Sequence, residues 1–396
     1  MNFGKLVLFS LVVFLISACG SSNSSVTTNT SAPTPELGDR TVAAIAMVAS
    51  DFRSSSIAVI TEEGNERTLV EGFLPETKSD YRVSVRGSDV YRIGRFNIDN
   101  VTRVSTDNPN MAISQISTKD NSGDPTANAY DIVFVNDEKA YLLRYNTDKL
   151  WVVNPQATTL STFKLGEIDL SAYDDNGAPE MSSAAVIGDR LYVVMQRLNG
   201  FSPDKVGYVA VIDTTTDKEI DTTPADSSDL NGIALNIQNP LSISVFEDKL
   251  YIGAVGQFGG TGAAQSGGVD VIDTSGSTLT AENLWLDSDA ARTEGSVYDV
   301  AVISETQGFV LFDEKGFAGT ERTLYSFNPT TKEISAVAVS GFQSIDIRDV
   351  ALSPAGEYWV TLGLATRPGI AYLDSEGTEV RTRTTTNLIP EQVSFF

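Results

Sequence analysis

The sequence contains no histidine and a single cysteine. Without histidine, no Ser-His-Asp or Cys-His catalytic unit can be assembled. His-ligated zinc, copper and haem are excluded for the same reason. One cysteine allows neither a Cys-rich metal site nor an intramolecular disulfide. Basic residues are scarce: 28 Lys+Arg stand against 52 Asp+Glu, a formal net charge of −24. That balance argues against a nucleic-acid partner, whose phosphates need a basic stripe. No Walker lysine motif and no G-x-S-x-G elbow occurs, and no cofactor and no metal are expected. The 396 residues suffice for one large domain or two ordinary ones, with ample core.

Residues 1–18 read as a targeting segment. Lys5 supplies a short positive start, and Leu6 to Ile16 form an apolar run broken only by Ser10. The run is too short to span a bilayer as a mature helix. Ile16-Ser17-Ala18-Cys19 then places small residues before the chain's one cysteine. The arrangement resembles the bacterial lipoprotein signal, which implies cleavage before Cys19 and lipidation (palmitate among the chains) of that residue. The alternative is an ordinary secretory signal followed by a buried free thiol. Several acyl chains on one residue anchor a protein stably, where one chain binds marginally. Gly20 follows where an Asp would imply inner-membrane retention. The resemblance therefore implies an outer-membrane lipoprotein, facing the periplasm or the cell surface. Residues 19–40, rich in Ser, Thr, Asn and Pro, bury too little apolar surface to fold and read as a flexible tether.

From residue 41 to 396 helical periodicity is almost absent. Short β-branched and aromatic runs recur instead, separated by Gly, Asp, Asn and Pro. Val209-Ala210-Val211-Ile212-Asp213-Thr214 matches Val269-Asp270-Val271-Ile272-Asp273-Thr274, and DTTTDKEI (213–220) matches NPTTKEI (328–334). Equivalent turns fall near 62, 108, 154, 213, 273, 328 and 374, at intervals of 46 to 60 residues. A second landmark precedes each turn: an apolar strand, a tight polar turn and an aromatic-containing strand, as in VSVRGSDVYRIGRF (83–96). Seven units of about four antiparallel strands predict an all-β, seven-bladed β-propeller. The first unit lacks its opening strand, and Glu391 to Phe396 are expected to supply it and close the ring. Closure removes exposed sheet edges.

VALSPAGEYWVT and YVAVIDTTTDKEI resemble the bacterial YVTN-type (surface-layer-like) seven-bladed propellers over roughly residues 41–396. Three units are longer than that family's forty-odd residues. The resemblance implies the architecture and leaves function open, because propellers host enzymes, binders and scaffolds alike.

Loop lengths point to a working face. Connections between first and second strands, and between third and fourth, are tight; those on the opposite face are long, as at 117–129, 166–181, 197–206 and 221–240. Long loops on a rigid scaffold are where binding residues gather. Arginines beside aromatics recur there: Phe52-Arg53, Arg95-Phe96, Arg144-Tyr145, Arg197 with Phe201, and Arg367. Gln257-Phe258 and Lys315 with Phe317 stand in their place in the fifth and sixth units. Such a ring is suited to an anion with aromatic character; alternatively each Arg pairs with an acid on a solvated rim. At the starts of the innermost strands lie Arg82, Asp131, Asp299, Arg348 and Asp349, candidates for the channel mouth. They either pair with one another or hold a hard cation such as calcium. DNSGD (120–124) and YDDNG (173–177) lack the full calcium-loop spacing and read as turns. GQFGGTGAAQSGG (256–268) fails the dinucleotide pattern at Gln265. Trp151, Trp285 and Trp359 do not recur at one position, which argues against a quinoprotein dehydrogenase.

The expected function is therefore non-catalytic: a lipid-anchored propeller that binds a ligand or protein partner on its long-loop face. An anionic aromatic molecule such as a ferric siderophore, delivered to an outer-membrane transporter, is the sharpest version. An envelope protein scaffold and a calcium-dependent hydrolase using Asp131, Asp299 and Asp349 are the alternatives.

Overall fold

β-branched and aromatic residues fit a pleated surface packed on one or both faces, and here they pair as antiparallel strands throughout. The computed structural model describes residues 40–223, 230–257, 266–286, 295–314, 320–364 and 366–396. The expected signal, Cys19 and tether lie outside the described residues, as do Phe258, Lys315 and Phe317. Helix is confined to the short segments Leu160–Phe163 and Ser171–Tyr173 among the described residues.

In chain order the first strands are β1 (Thr41–Val48), β2 (Ser55–Glu63) and β3 (Glu66–Glu76). A run of four follows: β4 (Tyr81–Arg86), β5 (Asp89–Gly94), β6 (Asn100–Ser105) and β7 (Ala112–Ser117). The next is β8 (Ala129–Phe134), β9 (Ala140–Arg144), β10 (Lys149–Val153) and β11 (Lys164–Asp169). Then come β12 (Met181–Ile187), β13 (Arg190–Met195), β14 (Tyr208–Asp213), β15 (Lys218–Glu219) and β16 (Ile233–Ala234). They are followed by β17 (Pro240–Phe246), β18 (Lys249–Ala254), β19 (Gly268–Asp273) and β20 (Ala281–Leu286). The last are β21 (Ser296–Val302), β22 (Gly308–Asp313), β23 (Glu321–Asn328), β24 (Glu333–Ala338), β25 (Ile345–Leu352), β26 (Tyr358–Leu362), β27 (Gly369–Leu373), β28 (Thr384–Thr385) and β29 (Ile389–Phe395).

β4–β7, β8–β11 and β17–β20 are four-stranded meanders, and β12–β15 is another, with β16 beside β14. One sheet is ordered β29-β1-β2-β3, with Ala43 opposite Phe395 and Val48 opposite Ile389. The runs β21–β24 and β25–β28 share one sheet through two residue pairs, Glu321 with Asp346 and Arg322 with Ile345. The turns expected near 62, 108, 154, 213, 273, 328 and 374 fall at or just beyond the ends of β2, β6, β10, β14, β19, β23 and β27.

Burial explains the composition of each strand. β5, β9, β22 and β26 are buried at every residue, because sheets cover both their faces, and they read as nearly continuous apolar runs. β7 and β11 alternate, with one face in water. The apolar core is divided into slabs between consecutive sheets. Tyr141, Leu150 and Ile168 pack with Met181, Leu191 and Ala210. Trp359 and Tyr372 pack with Ile45, Ala58 and Val393, so the last strands share a core with the first. The opening strands touch in the order β29, β4, β8, β12, β17, β21, β25 and back to β29. Two-residue turns carry the chain from β4 to β5 at Gly87-Ser88 and from β12 to β13 at Gly188-Asp189. Gly87 has φ +60 and Gly188 φ +58, the left-handed backbone such hairpins require.

Candidate functional site

Each opening strand carries, within its first five residues, a polar residue followed by an aliphatic one. They are Arg82-Val83, Asp131-Ile132, Ser183-Ala184, Ser242-Ile243, Asp299-Val300, Asp349-Val350 and Gln392-Val393. On β8, β12, β17, β21 and β25 the pairing register shifts immediately before the polar residue. A bulge of this kind re-aims a side chain at a sheet rim. All seven polar residues line one cavity of about 440 Å³, together with Phe52, Asp80, Tyr81, Arg95, Tyr298, Arg348 and Glu391. Phe52 and Arg95 lie in connections from second to third strands, which places the cavity on the long-loop face.

The acids of this cavity first serve the fold. Val83 N–H donates to Gln392 Oε1 at 2.9 Å, Val393 N–H to Asp349 Oδ2 at 2.9 Å and Val350 N–H to Asp299 Oδ2 at 3.4 Å. Each bond ties one opening strand to the next. Asp131 accepts from Ser84 Oγ at 2.7 Å and from Ile132 N–H at 2.7 Å. Burial and the Asp349 charge push the Asp299 carboxyl up to about 7, and burial is the main cause that raises Asp349 to about 6. Burial raises Asp131 and Glu391 too, against the pull of Ser84 and Arg82 on the first and of Arg348 on the second.

The arginines divide sharply. Arg348 is spent on Asp346, at 2.6 Å, and Glu391, at 3.1 Å. Arg95 pairs with Asp80 at 3.2 Å and lies 4.1 Å over the Tyr130 ring. Arg82 also lies over Tyr130, at 4.9 Å, but it makes no hydrogen bond or ion pair among the described residues. Burial disfavours its cation; Tyr130, Asp131, Tyr298 and Asp349 outweigh that and raise its pKa. Tyr130 in turn stacks on Tyr145, with ring centroids 4.7 Å apart, and the Tyr145 hydroxyl donates to Gln196 Oε1.

Of the expected rim residues, the cavity gathers Arg95 along with Arg82, Asp131, Asp299, Arg348 and Asp349. Arg144 does not join them. It ends the fully buried β9, so its guanidinium enters the space between sheets. There it sits 4.1 Å over Trp151, 2.6 Å from Asp120 and 3.0 Å from the Thr118 carbonyl, only 3 % exposed. Arg197 is likewise engaged by the carbonyls of Tyr173, at 2.7 Å, and Val206, at 3.2 Å, over the Tyr208 ring. Arg53 and Arg367 are exposed, with no side-chain partner among the described residues. Phe96 is exposed, and its N–H donates to Asp80 Oδ2 at 3.1 Å. DNSGD closes on itself, with Asn121 N–H donating to Asp124 Oδ2 at 2.8 Å, and in YDDNG both Asp174 and Asp175 meet Lys205. Among the described residues no group of three or more acids, His or Cys is placed to hold a metal.

Sequence reasoning missed Ser183, Ser242, Glu391 and Gln392. Superposing the seven opening strands on their polar-aliphatic step marks Ser183, Ser242 and Gln392, because one polar residue recurs in every run.

No protein-family model matches the chain, and no curated protein matches its sequence. Solved structures do match. A hypothetical selenium-binding protein from Sulfolobus tokodaii is 12% identical over 89% of this chain and 93% of its own, with a TM-score of 0.59. A functionally unknown protein from Desulfotomaculum acetoxidans is 11% identical over 90% of this chain and 99% of its own, with a TM-score of 0.52. The dihydro-heme d1 dehydrogenase NirN is 10% identical over 92% of this chain and 77% of its own, with a TM-score of 0.50. The selenium-binding protein and NirN are of β-propeller type, and the likeness gives this chain a β-propeller-like fold.

Proposed function

We propose that this chain is a non-catalytic lipoprotein whose seven-bladed propeller, closed by β29 against β1, binds a small molecule with an anionic group in the axial cavity. Lipidated Cys19 anchors it in the outer membrane. A ring-bearing anion such as a ferric siderophore is the ligand class, passed on to an outer-membrane transporter. The pairing of β29 with β1, and its packing between β25 and β4, support the closed ring. The observation that carries the binding reading is Arg82, a guanidinium in a cavity of about 440 Å³ with no partner anion in pairing distance among the described residues. A sequestered cation gains more from a ligand anion than a solvated one does, and guanidinium bonds carboxylates and phosphates in a fixed fork. The volume lies within the 300–1,000 Å³ or so usual for small-molecule sites.

The test is calorimetric titration of the detergent-solubilised full chain with ferric siderophores and aromatic carboxylates. Arg82→Met is expected to weaken binding at least tenfold. Arg144→Met, whose guanidinium is committed between sheets, leaves the affinity as it is. Binding that ignores Arg82→Met, or no binding at all, overturns the reading.

One observation favours a second reading, an envelope scaffold. Phe52, Phe96 and Phe201 are 52%, 53% and 86% exposed, and all lie in second-to-third strand connections on the same face. Exposed apolar groups gathered on one face suit protein docking. Cross-linking that captures one envelope protein, and loses it on triple substitution of these residues by Ser, is the outcome that reading requires.

A further inference from the structure

We infer that the ligand of the axial cavity is amphoteric, with an acidic group held by Arg82, a protonated amine held between Asp299 and Asp349, and an apolar group against Phe52. This rests on the reading that the cavity binds an anionic group, and narrows it.

Charge balance is the first argument. Three guanidiniums line the cavity (Arg82, Arg95 and Arg348) against five carboxylates, Asp80, Asp131, Asp299, Asp349 and Glu391. Arg95 is committed to Asp80 at 3.2 Å, and Arg348 to Asp346 at 2.6 Å and Glu391 at 3.1 Å. Arg82 is left with Asp131 and Asp349 as its acidic neighbours. A purely anionic ligand would meet Arg82 and an excess of negative charge together. A ligand that also carries a cation satisfies both.

Placement is the second. Asp299 and Asp349 stand on the adjacent strands β21 and β25, whereas Arg82 stands on β4, with Gln392 of β29 between them. The acids are held in position by main-chain donors: Val300 N–H to Asp299 at 2.8 Å, Val350 N–H to Asp299 at 3.4 Å and Val393 N–H to Asp349 at 2.9 Å. A carboxylate has about four acceptor sites, so capacity for a three-donor ammonium remains. The repulsion from Asp349 that helps to raise Asp299 is relieved by an ammonium placed between the two acids. Among the described residues no third carboxylate, His or Cys joins the two acids in a group placed to hold a metal ion.

The aromatic residues at and behind the walls are consistent with this. Tyr130 is covered by Arg82 and Arg95 on one side and stacked on Tyr145, and Tyr298 is covered by Arg322 at 3.5 Å. Phe52, with Arg348 5.8 Å from its ring centroid, is still half exposed at the mouth and keeps apolar surface open. Ser183, 8% exposed, lines the cavity, and its buried hydroxyl has no hydrogen-bond partner among the described residues.

The experiment titrates the full chain at neutral pH with three probes that share one ring: L-phenylalanine, 3-phenylpropionate without the amine, and phenethylamine without the carboxylate. L-Phenylalanine is expected to bind at least tenfold more tightly than either half. Arg82→Met should bring it down to the level of phenethylamine, and Asp349→Asn to that of phenylpropionate. Asn keeps an acceptor for Val393 N–H, and Asp299→Asn serves if the first variant unfolds. If phenylpropionate binds as tightly as phenylalanine and Arg82→Met abolishes both, the inference fails and the anion site stands. If phenethylamine equals phenylalanine and Arg82→Met changes nothing, both fail. If no probe binds, the inference fails, and the siderophore titration decides the broader reading separately.

Discussion

Asp299→Asn tests the physical picture of the acidic cavity without any ligand. In the folded chain burial and the neighbouring Asp349 raise Asp299 from 3.8 to about 7, so folding retains a proton that the unfolded chain releases near pH 4. Stability attached to this group is therefore full below about pH 4 and is lost as pH rises toward 7. At about 1.36 kcal/mol per pH unit, a rise from 3.8 to about 7 corresponds to a ceiling of about 4 kcal/mol. The charge is shared with Asp349 and partly screened, which brings the expected effect to on the order of 2 kcal/mol. Asparagine keeps an acceptor for the N–H groups of Val300 and Val350 and cannot ionise. The variant should exceed the parent by about 1 kcal/mol at pH 5 and by about 2 kcal/mol at pH 8, the two converging only below about pH 4. Urea unfolding followed by fluorescence of the buried tryptophans, at constant ionic strength and with unchanged m-value, measures this. Subtracting parent from variant removes the self-repulsion of a chain with net charge −24, which also weakens the fold as pH rises. A difference that is flat from pH 5 to 8, or of opposite sign, refutes the reasoning. The parent itself should be most stable in mild acid. Glu180, raised to about 7 by burial, adds to the loss at neutral pH, and Asp169, held down to about 2 by Lys149 and Ser171, adds to the loss at strongly acid pH.

Two further outcomes bear on the meeting of the last strands with the first. Arg67, 7% exposed, lies 4.6 Å over Trp359 and 4.7 Å over Tyr372 and bonds Glu62 and Glu357. Arg67→Met should lower stability by about 2–3 kcal/mol in thermal or urea unfolding, since it leaves two acids short of a partner; a loss below about 0.5 kcal/mol would show the stack to be incidental. Deleting residues 389–396 uncovers the β1 edge from Ala43 to Val48 and removes Val393 from its core slab. Fast hydrogen exchange in β1 and a lower melting midpoint are expected, and an unchanged midpoint would contradict the closed ring.

Much of the architecture was legible because each feature is local. Strand identity follows from runs such as Val209 to Ile212, and hairpins follow from Gly87-Ser88 and Gly188-Asp189. The missing opening strand of the first unit was visible as an unmatched segment at 391–396, and that segment pairs with β1. The site was legible only in part. Arg82, Asp131, Asp299 and Asp349 stood out because a charge at the start of an apolar strand is conspicuous. Ser183, Ser242 and Gln392 did not, being ordinary residues until the seven strands are laid side by side.

The arginines separate what sequence determines from what tertiary structure decides. Sequence alone established the absence of histidine chemistry, the strand-and-turn repeat and an Arg-aromatic step recurring across several units. It could not tell Arg95 from Arg144, since both stand at the end of a second strand, in it or just past it, beside an aromatic residue. Packing of the next sheet decided that Arg144 turns inward over Trp151 and pairs with Asp120, while Arg95 turns to the cavity beside Asp80. The strands carry a period of two, but the acid that meets Arg144 across the sheet interface comes from 24 residues away, on the connection between two sheets. Which charge meets which is therefore a property of the assembled sheets and not of any local run.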